Sequence, residues 1–200
     1  MDNIESRGCY GKLNVEDGVP YIYTANGLFI LPQFWGLYEE TEKPVGVALK
    51  EGEDGVLVAL KGSEEYLTLL DEYQKDVTGK SFDNDEDARS DWSGKENTEL
   101  FVKAGSPAAK FCAYYETGTI KKGKWWLPSY AEMELMCQHK EKIDACLTVC
   151  AGSPLFYGWH WTSTQFSSRS AWIFHWRNGN TVSNSKDDIS RVRPISAFPE

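Results

Sequence analysis

The stretch WWLPSYAEMELMCQHK, residues 125–140, decides the reading of this chain. Two tryptophans and Pro128 close an extended segment, after which Ser129 stands as an N-cap with Glu132 three residues on. In that pairing each side chain bonds the other residue's backbone N–H, so a helix starts here, with Tyr130, Met133 and Cys137 on one face. A second helical run from Lys142 to Cys150 sets Ile143, Cys146, Leu147 and Cys150 at i, i+3, i+4 and i+7, with Gly152 as its stop. Strand-like segments lie on both sides of these two helices, which predicts an α+β fold class.

On the C-terminal side, in HWTSTQFSSRSAWIFHWRNG (residues 160–179), Trp172, Phe174 and Trp176 alternate with Ile173, His175 and Arg177. Period two predicts a strand with aromatic rings inward and a mixed set outward. Asn178–Asn180 reads as a turn with Gly179 at positive φ, and VRPISAF as a last strand with Val192 and Ile195 buried. On the N-terminal side, VGVAL (45–49) and VLVAL (56–60) flank EGEDG as a hairpin, and the first forty residues, with Tyr21, Ile22, Phe29, Phe34 and Trp35 among glycines and prolines, predict short strands and turns. From Asp83 to Ala104 the pattern predicts one helix interrupted near Gly94, anchored by Trp92, Leu100, Phe101 and Val102, and continuing from Pro107. The acids Asp83, Asp85, Glu86 and Asp87 do not make a calcium loop, whose sixth and twelfth positions would fall on Ala88 and Gly94; they suit a helix N-terminus.

A length of 200 residues with 41% hydrophobic content predicts one large domain, or one domain with a modest extension. The net charge of −9 repels a phosphate backbone, so nucleic acid is not an expected partner. That charge is uneven: residues 157–200 carry +2 and the rest −11. No apolar run approaches the roughly 18 residues of a membrane helix and the start lacks a secretory pattern, so direct membrane insertion is not expected. Five cysteines without a C-x-x-C pair predict buried thiols rather than a disulfide framework or zinc site. Nucleophile elbows, phosphate loops and H-E-x-x-H are absent from the sequence, and its three histidines have no ligand spacing, so no cofactor, metal or catalytic residue is expected.

The segments WWLPSYAEMELM, HWTSTQFSSRSAWIFHWRNG and RVRPISAF, together with the GVALKEGEDGVLVAL hairpin and DWSGKENTELF, resemble a bacterial and phage family with the C-type lectin fold, related to formylglycine-generating enzymes. The likeness spans about residues 45–198 and is strongest to variable proteins of diversity-generating retroelements. It implies two main helices packed on short antiparallel sheets with a loop-rich C-terminal ligand-binding region. Residues 1–44 would form a β-rich extension packed on a main domain of 45–200, with a variable segment at 157–198. The implied function is non-enzymatic display of a hypervariable surface to a macromolecular ligand, a protein by the chemistry of the exposed side chains, at a bacterial cell surface or phage virion. In that family the variable codons derive from adenine-rich triplets that yield Ser, Arg, His, Ile, Asp, Thr or Phe but not Trp or Lys.

The matching ligand-facing positions are His160, Phe166, Ser168, Arg169, Ser170, Ile173, His175, Arg177, Thr181, Ser183, Ser185, Asp187, Asp188, Ile189 and Ser190. Lys186 falls outside the permitted set and so belongs to the frame or lies off the variable face. The implied framework is Trp125, Trp126, Pro128, Trp161 (or Trp159 in its place), Trp172, Trp176, Gly179, Arg191 and Arg193; Thr162 stands where the family has Ser. Two alternatives stay open: an oxidase like the formylglycine-generating enzymes, although Cys150 precedes the block where their cysteines lie, and a fixed-ligand adhesion or tail module. The sugar-binding triplets of calcium-dependent lectins are absent.

Overall fold

Runs of β-branched residues around glycine turns dominate the first part of the chain. The computed structural model describes residues 9–10, 15–60, 64–72, 75–151, 154–155 and 157–199. Strands β1 (Cys9–Tyr10), β2 (Tyr21–Thr24) and β3 (Phe29–Ile30) precede a 3-10 turn at Pro32–Leu37. Pro32, with its fixed φ, opens that turn and so takes Phe34 and Trp35 out of the extended conformation expected of them. Strands β4 (Pro44–Glu51) and β5 (Asp54–Ala59) form the expected hairpin, Val47 opposite Val58 and Leu49 opposite Val56. Gly52 at the turn has φ +60°, which an L side chain rarely adopts.

After β6 (Glu65–Thr68) come three helices, α1 (Asp85–Ala88), α2 (Gly94–Lys103) and α3 (Pro107–Tyr114). Asn84 caps α1 by accepting from Asp87 N, and the acids Asp85, Glu86 and Asp87 occupy its first turn, where the helix dipole favours them. The break therefore lies at Arg89–Ser93, and Gly94 begins α2 rather than interrupting it. Asp91 makes this break: its carboxylate accepts from Ser93 N (3.1 Å), Asn97 Nδ2 (2.9 Å) and Thr164 Oγ1 (2.6 Å). Of the expected anchors only Phe101 is fully buried; Trp92, in the break before α2, and Leu100, on the outer flank of α2, are exposed.

Strand β7 (Trp125–Trp126) leads into α4 (Tyr130–Gln138), whose start carries the complete capping box of Ser129 and Glu132. Glu132 is also buried, and its Oε1 accepts from Trp126 Nε1 at 3.0 Å. Burial pushes its carboxyl up to about 7, against the hydrogen bonds from Ser129 and Trp126. The folded state thus favours the protonated acid. Its contribution, about 3 kcal/mol, is fully present below pH 4.5 and lost as pH rises through about 7. Unfolding free energies measured across that window should lose this downward slope in Glu132→Gln; equal slopes in both proteins would contradict the assignment. Helix α5 (Lys140–Ala151) follows, with Ile143, Cys146 and Leu147 buried; Gly152, its expected stop, lies outside the described residues.

Five strands complete the fold: β8 (Trp159–Gln165), β9 (Ser170–His175), β10 (Thr181–Ser185), β11 (Ile189–Val192) and β12 (Ile195–Ala197). An antiparallel seven-stranded sheet runs β1-β3-β2-β4-β5-β12-β7, and a second sheet runs β10-β9-β8-β11-β6, antiparallel except between β8 and β11. The strands before residue 44 are thus hydrogen-bonded into the same sheet as β4. The closing segment read as one strand is two, in different sheets. Pro194 has no N–H to continue a ladder, and at the break Arg193 turns inward to Ala59 O (3.0 Å) and Glu64 Oε2 (2.8 Å).

One core joins the first sheet to α4, α5 and the aromatic face of β9, with Trp172, Phe174 and Trp176 inside it. A second core lies on the other face of β8 and β9, where Trp161, Ala171 and Ile173 meet Phe101, Ala108, Ala109 and Cys112 from α2 and α3. Three of the buried indoles satisfy their N–H in these cores: Trp161 to Leu67 O, Trp172 to Phe82 O and Trp176 to Asp144. The fold is α+β, with helices on both sides of β9.

Candidate binding surface

The second sheet carries the sequence-predicted site, and its packing sorts the predicted residues into three groups. Three of them are buried, against the outward orientation expected of them. Ile173 lies in the second core, because α2 and α3 cover the face that alternation alone leaves open. Ser190 is 2% exposed on β11, between β8 and β6. His160 is fully buried, with Nδ1 3.0 Å from Gly158 O and Nε2 3.0 Å from Glu64 Oε1. Glu64 also holds Arg193, so one carboxylate ties β8 to the β11–β12 junction. Burial alone would raise its pKa, but the His160 hydrogen bond and the positive charges of Arg193 and Arg191 outweigh that and hold the carboxyl below its usual range.

A second group gathers at the end of the sheet where the β8–β9 and β10–β11 turns meet: Phe166, Ser168, Arg169, Ser170, Ser185, Asp187 and Asp188. Lys186 staples these turns. Its N donates to Arg169 O, and its buried Nζ donates to Ser168 O (3.1 Å), Gln165 Oε1 (2.6 Å) and Lys75 O (2.8 Å). Burial lowers its pKa to about 8. Phe166 leans on the Trp172 ring, while Ser168, Arg169, Asp187 and Asp188 are exposed. Ser183 is exposed on β10.

The third group surrounds Trp159, where two adjoining hollows open on the sheet. One, of about 400 Å³, has Ile173 and Ser190 in its lining and the large side chains Tyr66, Ile189 and Arg191 around it. The other, of about 490 Å³, is lined by Asp85, Arg89, Tyr130, Glu134, Asn180 and Thr181. Trp159 and Val182 line both, so the two adjoin at the β10 edge of the sheet, Thr181 standing on the face of Phe174 and Val182 on the face of Ile173. Both volumes are in the range that holds a small ligand or a side chain. Tyr66 (59%), Ile189 (51%) and Val182 (44%) expose much of their apolar surface there, and the Arg191 guanidinium lies 5.6 Å from the Tyr66 ring centre. In the polar hollow Arg89 Nε pairs with Glu134 Oε1 at 2.9 Å, and Thr181 Oγ1 donates to Asp85 Oδ1 at 3.3 Å. His175 stands edge-on to the Trp159 ring, and Arg177 is exposed just beyond.

The framework residues Trp125, Trp126, Pro128, Trp161, Trp172, Trp176 and Arg193 are buried, and Gly179 makes the β9–β10 turn with φ +70°. Arg191, expected in the frame, borders the apolar hollow instead. Sequence reasoning missed Tyr66, Asp85, Arg89, Glu134 and Val182 as site residues. Four of them lie upstream of the sheet's core strands, with residue type as their sequence signal, and Val182 stands inside the segment 157–198 among the positions read as variable. Among the described residues no group of three or more His, Cys, Asp or Glu is arranged to hold a metal ion. Burial pushes the thiols of Cys137, Cys146 and Cys150 up to about 12 and that of Cys112 higher still, which suppresses thiolate chemistry.

Comparison with protein-family models and with curated proteins finds no match. Among solved structures, a fimbrial protein from Bacteroides ovatus shares the fold, with a TM-score of 0.62 at 14% identity. The similarity covers 92% of this chain and 49% of that one, so the chain spans about half the length of the structure it matches.

Proposed function

We propose that the chain is a non-enzymatic binding module of a bacterial surface structure, built on a C-type lectin fold, which holds a macromolecular ligand against the sheet face around Trp159. The observation that carries this reading is the pair of adjoining hollows that share Trp159 and Val182, where the large apolar side chains Tyr66, Val182 and Ile189 stand exposed beside the packed strands β8 and β9. The likeness to a fimbrial protein of about twice the length supports a module of a surface appendage. Buried thiols with raised pKa values argue against the oxidase alternative.

The test is binding of the purified protein to an array of immobilised matrix proteins and glycans. Saturable binding to at least one of them, lost in Trp159→Ala with the thermal melt retained, is the expected result. Binding unaffected by that change, no binding anywhere on the array, or copper-dependent oxidation of a peptide thiol would overturn the proposal.

A second reading, a hypervariable display protein, is favoured by the exposed Ser168, Arg169, Ser183, Asp187 and Asp188. The buried His160, Ile173 and Ser190 weigh against it, since free substitution there would disrupt hydrogen bonds and packing. Sequences of the same locus from several isolates decide between them: differences clustered at the exposed positions support display, and their absence supports a fixed ligand.

A further inference from the structure

Resting on the reading of this face as the binding face, we infer that its occupant is an extended protein segment that sets a basic side chain beside Asp85 and apolar side chains over Val182 and Ile189. Three features of the surface lead there. The first is charge. The polar hollow is lined by two acids, Asp85 and Glu134, and one base, Arg89, which pairs with Glu134 at 2.9 Å, so its net charge is negative, with Glu86 and Asp87 following Asp85 on the same helix. A basic side chain is attracted to that corner, and phosphate or carboxylate groups are repelled.

The second feature is the apolar half. Tyr66, Val182 and Ile189 are each close to half exposed and border one hollow, beside Trp159. Arg191 at its border has its charge opposed by Glu64, 4.0 Å away. This half therefore favours apolar side chains, and a neutral sugar would leave most of that surface without a matching partner. The third feature is extent. With strands about 4.8 Å apart, the five strands from β10 to β6 span roughly 19 Å, which about six extended residues would cross. Trp159 and Val182 line both hollows, so one such segment would pass from Asp85 over the β10 edge to Val182 and Ile189.

The inference is tested by NMR titration of the intact protein with a lysine–valine octapeptide, its glutamate-for-lysine and serine-for-valine counterparts, and a neutral glucan oligosaccharide. The lysine–valine peptide should shift the signals of Val182, Ile189 and the Trp159 indole. Its affinity should fall about tenfold in the double variant Asp85→Asn, Glu134→Gln, and by a similar factor when serine replaces valine in the peptide. These substitutions keep the oxygens that accept from Thr181 and Arg89, so the fold is retained, as a thermal melt checks. Tighter binding of the glutamate peptide or the glucan, no shifts with any peptide, or undiminished affinity in the double variant would each overturn the inference. If Trp159→Ala abolishes binding on the array while these arms fail, the basic-segment inference falls and the binding face stands. If Trp159→Ala leaves array binding intact, the face itself falls.

Discussion

Gly94→Ala is expected to destabilise the protein by about 3 kcal/mol or more, although alanine is favoured over glycine in a helix by about 1 kcal/mol. A Cβ at this position would stand 2.0 Å from Glu132 Oε2 and 2.9 Å from both Glu132 Cδ and the backbone N of Ser129. The carboxylate cannot withdraw. Its Oε2 accepts from Ser129 N at 2.7 Å and lies 3.0 Å from Ser129 Oγ, while Oε1 holds the Trp126 indole. Making room means either giving up buried hydrogen bonds or separating α2 from the start of α4. Chemical denaturation of Gly94→Ala beside Gly36→Ala checks this, because a Cβ on Gly36 meets nothing within 4 Å. Equal midpoints for the two variants would show that the contact between α2 and α4 yields easily.

Glu64→Ala should cost roughly 3–5 kcal/mol, the range for removing one partner of a buried ion pair. The change takes the carboxylate away from the Arg193 guanidinium, which has no solvent-exposed surface and donates also to Ala59 O, and strips His160 Nε2 of the Glu64 oxygen. Glu64→Gln keeps one acceptor oxygen and should lose less. Since the Glu64 carboxyl is held below its usual range, its contribution is present above the unfolded pKa and disappears as pH falls through the folded value. Acid unfolding of the wild type should therefore be sharper at low pH than that of Glu64→Ala. A Glu64→Ala protein as stable as the wild type at neutral pH would show that Arg193 finds other partners.

Local signals carried the reading of the helices and the hairpin, because those are settled within a few residues. Ser129 and Glu132 lie three apart, and the valine runs around Gly52 pair with each other. The face of β9 was only half legible. Alternation separates Trp172 and Phe174 from Ala171 and Ile173, but whether α2 and α3 cover the second face depends on residues some seventy positions upstream. Asp91 and Glu64 were not legible at all. Each is one acid in an acid-rich chain, and each becomes a buried hub only when strand β8 brings Thr164 or His160 to it. Gly94 looked like a helix break because nothing near it in sequence reveals the approach of Glu132. The site residues Asp85, Tyr66 and Val182 converge from three elements, so their proximity has no sequence periodicity to betray it.

The seat of β12 between β5 and β7 bears on how the chain is made. The contact from Arg193 to Ala59 beside that seat joins residues 134 positions apart. During synthesis the valine-rich β5 leaves the ribosome long before residues 195–197 exist, and its outer edge stays open through the whole interval. Such an edge is a template for pairing with other nascent chains. Yield from a cell should therefore depend on what shields β5 during translation more than on the stability of the finished protein.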